Sequence, residues 1–293
     1  MAHFKHVLAA TDLSAPARHA AHRAASVADA TGAGLDLVYV APTTAMDALH
    51  RYLAALPATL PQRWLEEGKA TLHAFAETLE RKHGLAPGVH FATGAVLEQI
   101  ARVRDETSAD LLVVGARGAS ILRRAVLGST AERLVGTASL PILVVKQIPH
   151  LTYESVLVAV DFSDASSKAL RCARAIAPGA RIRVLHAFDA PFEGKLRSVG
   201  VGADAVADYK LAVQREVGER MAALYEQTDM APSDADALVA EGDPVWRVLE
   251  QEQEQDCDLI VVGKRQSRAQ DFFLGSVSRR VLAESDCDVL IAT

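Results

Sequence analysis

Apolar positions along this chain come in short runs separated by amphipathic stretches, and the whole succession occurs twice. The first half opens with Val7-Leu8-Ala9-Ala10-Thr11 and stops at Asp12; the second opens with Val156-Leu157-Val158-Ala159-Val160 and stops at Asp161. Ser14 and Ser163 follow as candidate helix N-caps, and Pro16 suits a first helical turn. Ala17, Ala20, Ala21, Ala24, Val27 and Ala28 recur at helical spacing as far as Gly32; Ala169, Leu170, Ala173, Ile176 and Ala177 do so as far as Gly179. Second strands are predicted at Leu35–Val40 and Ile182–Ala187, followed by long amphipathic helices at Gln62–His83 and Ala205–Gln227. Short strands at Val89–Thr93 and Ala237–Ala240 lead through Gly94 or Gly242 into further helices. The continuously apolar runs Leu111–Val114 and Leu259–Val262 read as strands buried on both faces. Helices start at Gly128-Ser129 and Gly275-Ser276, and closing strands fall at Ile142–Val145 and Val289–Ala292. Alternation of strands and helices predicts an α/β fold, a parallel sheet covered on both faces, in each of two tandem domains, 1–147 and 152–293.

The bulk properties fit that division. A chain of 293 residues, half of them hydrophobic, is comfortable for two domains of ordinary size. The linker, about Gln147–Tyr153, is short and carries Pro149, which predicts domains that pack together. A net charge of −6 argues against a general nucleic-acid or acidic-membrane binder. No apolar run approaches the ~20 residues of a membrane helix. The start, Met1-Ala2-His3-Phe4-Lys5-His6-Val7, lacks the layout of a signal peptide. Cys172, Cys257 and Cys287 have no metal-type spacing, and their odd number reads as reduced thiols in a cytoplasmic protein.

The repeat also carries candidate chemistry. The first copy reads Gly115-Ala116-Arg117-Gly118, nine residues, then Gly128-Ser129-Thr130; the second reads Gly263-Lys264-Arg265-Gln266, eight residues, then Gly275-Ser276-Val277. In open α/β sheets ligands bind at the carboxyl ends of the strands, where Asp12, Val40 and Gly115 are predicted to lie. Gly115 and Gly118 would let backbone approach a phosphate closely. The helix opening at Gly128 offers free amides and a positive dipole end, with the Ser129 and Thr130 hydroxyls as further donors. Arg117, Arg123 and Arg124 lie in the connecting loop, within reach of a polyphosphate. The spacing is neither Gly-x-Gly-x-x-Gly nor a Walker loop, and from spacing alone a role in turns and helix packing stands equally open.

These residues resemble the universal stress protein family. The Gly-x2-Gly-x9-Gly-Ser pattern, an opening strand ending in Asp12 and the closing strand Pro141-Ile142-Leu143-Val144-Val145 carry the resemblance, which covers essentially the whole chain in its tandem, two-domain form. It implies a five-stranded parallel sheet with helices on both sides in each domain. It implies ATP, with or without Mg2+, across the strand ends of the N-terminal domain, held by Thr11, Asp12, Val40, Gly115, Arg117, Gly118, Gly128, Ser129 and Thr130. Asp12 would meet ribose or adenine, and Val40 would meet adenine through its backbone. Thr130 stands where the family usually has an apolar residue. Family dimers form through the closing strands, which a tandem chain would pair internally, with a homodimer of the whole chain left open. The second copy departs from the pattern: Gln266 replaces a glycine, the loop is one residue shorter, and Phe272-Phe273 would fill the cavity. That domain is expected to be structural or to hold another ligand.

Two other function classes stay open on the sequence. One is a slow ATPase or adenylyl-transfer enzyme, for which Asp12 and Glu132 are the carboxylates near Gly128. The other is a carrier of a small or lipid-like metabolite without nucleotide. Lesser candidates are His19 and His22, spaced for a shared metal on one helix, and Asp161, Ser163, Asp164 and His186 as a hydrolytic set lacking a Gly-x-Ser-x-Gly elbow. Trp64 and Trp246, at helix starts, read as packing residues.

Overall fold

A computed structural model gives the structure of the chain and describes residues 3–42, 60–118, 127–137, 139–149, 152–188, 202–264 and 274–293. It divides into two compact units, Met1–Thr152 and Tyr153–Thr293. Unit 1 contains β1 (His6–Thr11), α1 (Ala15–Thr31), β2 (Gly34–Ala41), α2 (Leu60–His83), β3 (Gly88–Thr93), α3 (Val96–Thr107), β4 (Leu111–Gly115), α4 (Ser129–Thr137) and β5 (Ile142–Val145). Unit 2 contains β6 (Ser155–Ala159), α5 (Asp164–Ile176), β7 (Arg181–Phe188), α6 (Ala203–Gln227), β8 (Ala235–Glu241), α7 (Pro244–Glu254), β9 (Leu259–Gly263), α8 (Ser276–Glu284) and β10 (Asp288–Ala292), with a short 3-10 turn at Pro232–Asp234.

Within unit 1 the strands run in the order β3-β2-β1-β4-β5, and within unit 2 β10-β9-β6-β7-β8; each of these pairings is parallel. The predicted α/β class is therefore the observed one. Four consecutive residues of β4 and all of β5 are buried, as are four of β9 and all of β10. Successive strand residues face opposite sides, so burial of every one requires helices on both faces. Helices α1 and α2 pack together, as do α3 and α4; in unit 2 the pairs are α5 with α6 and α7 with α8. Removing Leu8, Leu37, Leu111 and Leu143 from water contributes about 1.5–3 kcal/mol for each side chain.

The strand starts are tied by side chains. The Asp110 carboxylate accepts from the backbone of Lys5 and His6, and Asp258 accepts from Glu154 and Ser155 in the same way. Beside this tie in unit 1, buried Asp36 sits between His6 and His90, whose Nε2 atoms both reach its carboxylate, His90 at 2.7 Å. Gly88 makes room for it, since a Cβ there would stand 1.9 Å from Asp36 Oδ1. Unit 2 instead uses Arg183, which donates to the Ser155 hydroxyl at 2.9 Å.

The predicted N-cap positions are occupied by Ser14 and Ser163, but they differ. Ser14 Oγ accepts from Ala17 at 3.5 Å, whereas Ser163 makes no side-chain cap bond. Its hydroxyl donates to Asp161 instead. Trp246 is not a packing residue: it is 61 % exposed, with the Arg247 guanidinium over its ring. His22 does not pair with His19. It turns half-buried against Phe75, and its Nδ1 lies 3.0 Å from His83 Nε2 on α2. Burial, then the charges of Lys82, His83 and His19, pull the His22 imidazole down to about 4.

Two predictions follow from the packing. A Cβ on Gly263 would lie 2.6 Å from Ala165 Cβ and 2.7 Å from its carbonyl oxygen, while one on Gly275 would meet none of the described residues within 4 Å. Gly263→Ala is therefore expected to cost about 1–3 kcal/mol and Gly275→Ala less than about 0.5 kcal/mol in urea unfolding of the whole chain. The second concerns pH. The folded state keeps His22 neutral below its ordinary value of 6.5, so the unfolded chain takes the proton first. That contribution to stability is complete above pH 6.5 and is lost as pH falls from 6.5 toward 4. The unfolding midpoint should drop over this window, and less steeply in His22→Gln; equal slopes would contradict the assignment.

Candidate functional site

In unit 1 the strand order reverses between β1 and β4, the place where an open parallel sheet leaves a crevice at its carboxyl ends. A cavity of about 310 Å³ lies there. Its walls include all nine residues singled out in the sequence: Thr11 at the end of β1 and Asp12 after it, Val40 in β2, Gly115 at the end of β4 with Arg117 and Gly118 after it, and Gly128, Ser129 and Thr130 at the start of α4. Tyr39, Pro42, Val96, Ile100 and Leu134 also line it. Sequence reading did not single these out as site residues. Val96 and Ile100 are one helical turn apart and give the apolar periodicity of any buried face.

The turn after β1 is held by its own side chains. Leu13 has a left-handed backbone, φ 62°, as has Phe162 at the equivalent place in unit 2, φ 61°. Such conformations cost a non-glycine residue about 1–3 kcal/mol. Hydrogen bonds offset this: Leu13 N–H donates to Thr11 Oγ1 at 2.9 Å, and Ser14 donates to Asp12 Oδ1 through N–H at 3.0 Å and Oγ at 2.5 Å. The result is a fixed, exposed carboxylate at the cavity wall. Tyr39, stacked on Phe91 with centroids 5.3 Å apart, has its phenol pushed above the ordinary value by burial and by the Asp12 charge.

The glycines divide by role. A Cβ on Gly115 would come within 3.1–3.2 Å of the Pro16 backbone and of the Arg117 carbonyl, so this glycine lets the strand end pack closely on the start of α1. Gly263 does the same against Ala165. Gly118 faces the carboxylate: a Cβ there would lie 2.6 Å from Asp12 Oδ2. Gly128 has only ordinary contacts around its added Cβ. Its N–H donates to the Ala116 carbonyl at 2.8 Å, and its own carbonyl takes the Glu132 N–H, the first bond of α4. The walls thus combine an apolar surface, one carboxylate acceptor, one guanidinium and a helix N-terminus bearing exposed Ser129 and Thr130 hydroxyls. Arg123 and Arg124 lie outside the described residues.

Unit 2 has a cavity of about 230 Å³ at the corresponding place, lined by Asp161, Gly263, Gly275 and Ser276 with apolar neighbours. Gln266, Phe272 and Phe273, which distinguish this copy, lie outside the described residues. Asp161 is held by several donors. Its Oδ1 accepts from Ser163 N–H at 3.0 Å, Ser163 Oγ at 2.5 Å and Ser166 Oγ at 2.9 Å. His186 does not form a hydrolytic pair with Ser163. Its Nδ1–H donates to the Val160 carbonyl at 2.9 Å and its ring lies against Phe162, 4.3 Å between centroids. Burial, ahead of the neighbouring charges, lowers its imidazole below the ordinary value. Among the described residues no three His, Cys, Asp or Glu side chains are grouped to hold a metal ion, and no helix is long and apolar enough to cross a membrane.

The sequence matches the Universal stress protein family over residues 3–146 and again over residues 152–293. It is 30 % identical over 147 residues to Universal stress protein A homolog 1 of Coxiella burnetii, and 32 % over 142 residues to the universal stress protein in the QAH/OAS sulfhydrylase 3' region of Thermus aquaticus. These alignments span 49 % and 47 % of this chain but 96 % and 98 % of the relatives. A universal stress protein of Archaeoglobus fulgidus shares the fold across 98 % of both chains, with a TM-score of 0.67 at 20 % identity. One solved universal stress protein is a complex with cAMP; it covers 48 % of this chain at 26 % identity and a TM-score of 0.32. Two family-length matches laid end to end account for the duplicated strand pattern, and the chain belongs to the universal stress protein family, with two of its domains in tandem.

Proposed function

We propose that this protein is a stress-response regulator that binds an adenine nucleotide, ATP, in the unit 1 cavity. The observation that carries the reading is the convergence of nine residues from four separate segments on one cavity with an apolar wall, a carboxylate acceptor and the start of a helix. Each part suits a part of the ligand. Val96 and Ile100 suit a planar base, and Asp12 suits hydroxyl or amine donors. Arg117, the first-turn amides of α4 and the Ser129 and Thr130 hydroxyls suit phosphates. About 310 Å³ falls within the range of small-molecule pockets.

Binding rather than turnover is proposed, because Asp12 is the one carboxylate among the described lining residues and it already accepts two hydrogen bonds from Ser14. A general base needs a lone pair directed at the reacting group. Unit 2 is proposed to keep the fold and either serve structurally or take a different ligand in its smaller cavity. Residence in the cytoplasm belongs to the same proposal.

Calorimetry of the whole chain with ATP and Mg2+ tests this. One site is expected. Gly118→Gln, which copies the residue of the second repeat into the first and drives a side chain at Asp12, should weaken binding at least ~10-fold, the effect of ~1.4 kcal/mol or more of crowding. Arg117→Gln should weaken ATP by a similar factor and leave adenosine almost unchanged. Two equivalent sites, or a folded Gly118→Gln protein with unaltered affinity, would contradict the proposal.

A further inference from the structure

The ladder between β1 and β2 ends in an arrangement that unit 2 does not repeat. Its last pair is Thr11 opposite Tyr39, whereas the β6–β7 register stops one pair earlier, at Ala159 opposite Leu185. Successive peptide groups of a parallel strand turn alternately to its two neighbours. Gly94, just past β3, donates its N–H to the Ala41 carbonyl at 3.1 Å, so the Val40 carbonyl turns the other way, toward β1. The next donor on that side of the ladder would be the Leu13 N–H. Leu13 is left-handed, φ 62°, and its N–H donates instead to Thr11 Oγ1 at 2.9 Å. The Val40 carbonyl is thus left without its ladder donor at the wall of the cavity. Thr11 itself is buried, 6 % exposed, where a hydroxyl is costly unless it is hydrogen-bonded. Val160 stands at this position in unit 2 and offers no side-chain acceptor; its carbonyl takes the His186 Nδ1–H.

We infer that Thr11 is a positioning residue for base choice: by holding the Leu13 N–H it keeps the Val40 carbonyl open as an acceptor, which favours an aminopurine over an oxopurine. The inference rests on the nucleotide reading above and adds which side chain decides the base. A carbonyl accepts from an exocyclic amino group. An oxygen at the same place on the base sets two acceptors against each other and leaves the carbonyl desolvated and unpaired. Val96 and Ile100 meet the base through apolar contact alone, and the two bases have nearly the same shape, so these walls do not separate them. Without the Thr11 hydroxyl the released Leu13 N–H works in one direction whichever way it turns. Toward Val40 it consumes the acceptor that an amino group needs. Toward the ligand it supplies the donor that an oxopurine needs. Both weaken the preference for the amino group.

Calorimetry of the full chain with ATP and with inosine triphosphate, which carries an oxygen in place of the adenine amino group, tests this. The wild-type chain is expected to bind ATP about tenfold or more tightly than inosine triphosphate. Thr11→Val keeps the shape of the side chain and removes the acceptor, and should reduce that ratio at least ~3-fold. Thr11→Ser keeps the hydroxyl and should retain the wild-type ratio, which a role in packing alone would not give. If Thr11→Val does not fold, Thr11→Ala carries the same comparison. Equal wild-type affinity for the two nucleotides would overturn the inference and leave the nucleotide reading standing. So would an unchanged ratio in a folded Thr11→Val or Thr11→Ala protein that binds ATP. A wild-type chain that binds neither nucleotide would overturn both.

Discussion

The structure depends on how closely the first helix of each unit is pressed onto the end of the middle strand. Gly115 meets the Pro16 backbone and Gly263 meets Ala165, and in both places a methyl group would have to displace backbone. That approach fixes the helix start beside the strand end. It also fixes the Asp-x-Ser turn, which needs a left-handed Leu13 or Phe162 and holds it with hydrogen bonds from its own side chains. With the sheet buried on both faces, the strand ends are where polar groups and a ligand can meet. The cavities of about 310 and 230 Å³ follow from this geometry before any particular side chain is considered.

Duplication preserves that geometry more faithfully than it preserves chemistry. Both units keep the packing glycine, the aspartate, the left-handed residue and a helix opening with Gly-Ser. They differ in what surrounds the aspartate. Asp12 accepts from Ser14 and faces Gly118, whereas Asp161 takes a further hydroxyl from Ser166. Tyr39 stands where unit 2 has His186, each one place beyond equivalent residues, Val38 opposite Ala10 and Leu185 opposite Ala159. The strand starts diverge as well, with the His6–Asp36–His90 cluster in one unit and Arg183 with Ser155 in the other.

Much of this was legible in the sequence because it is encoded locally. Strand runs, alanine faces and Gly-Ser helix starts are short-range patterns, and each predicted strand lies within two residues of an observed one. The nine site residues could be grouped because the family resemblance ties strand ends together that are a hundred residues apart. What could not be read was set by contacts between segments. Nothing near His22 points to His83, and nothing near His6 points to His90. The packing constraint on Gly115 went unread for the same reason: it comes from Pro16, on another element. Trp246 was misplaced because a large apolar side chain says nothing about which face of a helix it occupies.

The central claim is that the unit 1 cavity, ordered by Asp12, Gly118 and the start of α4, is the nucleotide site. The most direct measurement is a crystal structure of the whole chain grown with a non-hydrolysable ATP analogue. The account predicts density in unit 1 with the base against Val96 and Ile100, and the phosphates between Arg117 and the Ser129–Ala131 amides. Density in the unit 2 cavity alone, or a ligand in unit 1 with its phosphates directed away from α4, would contradict it.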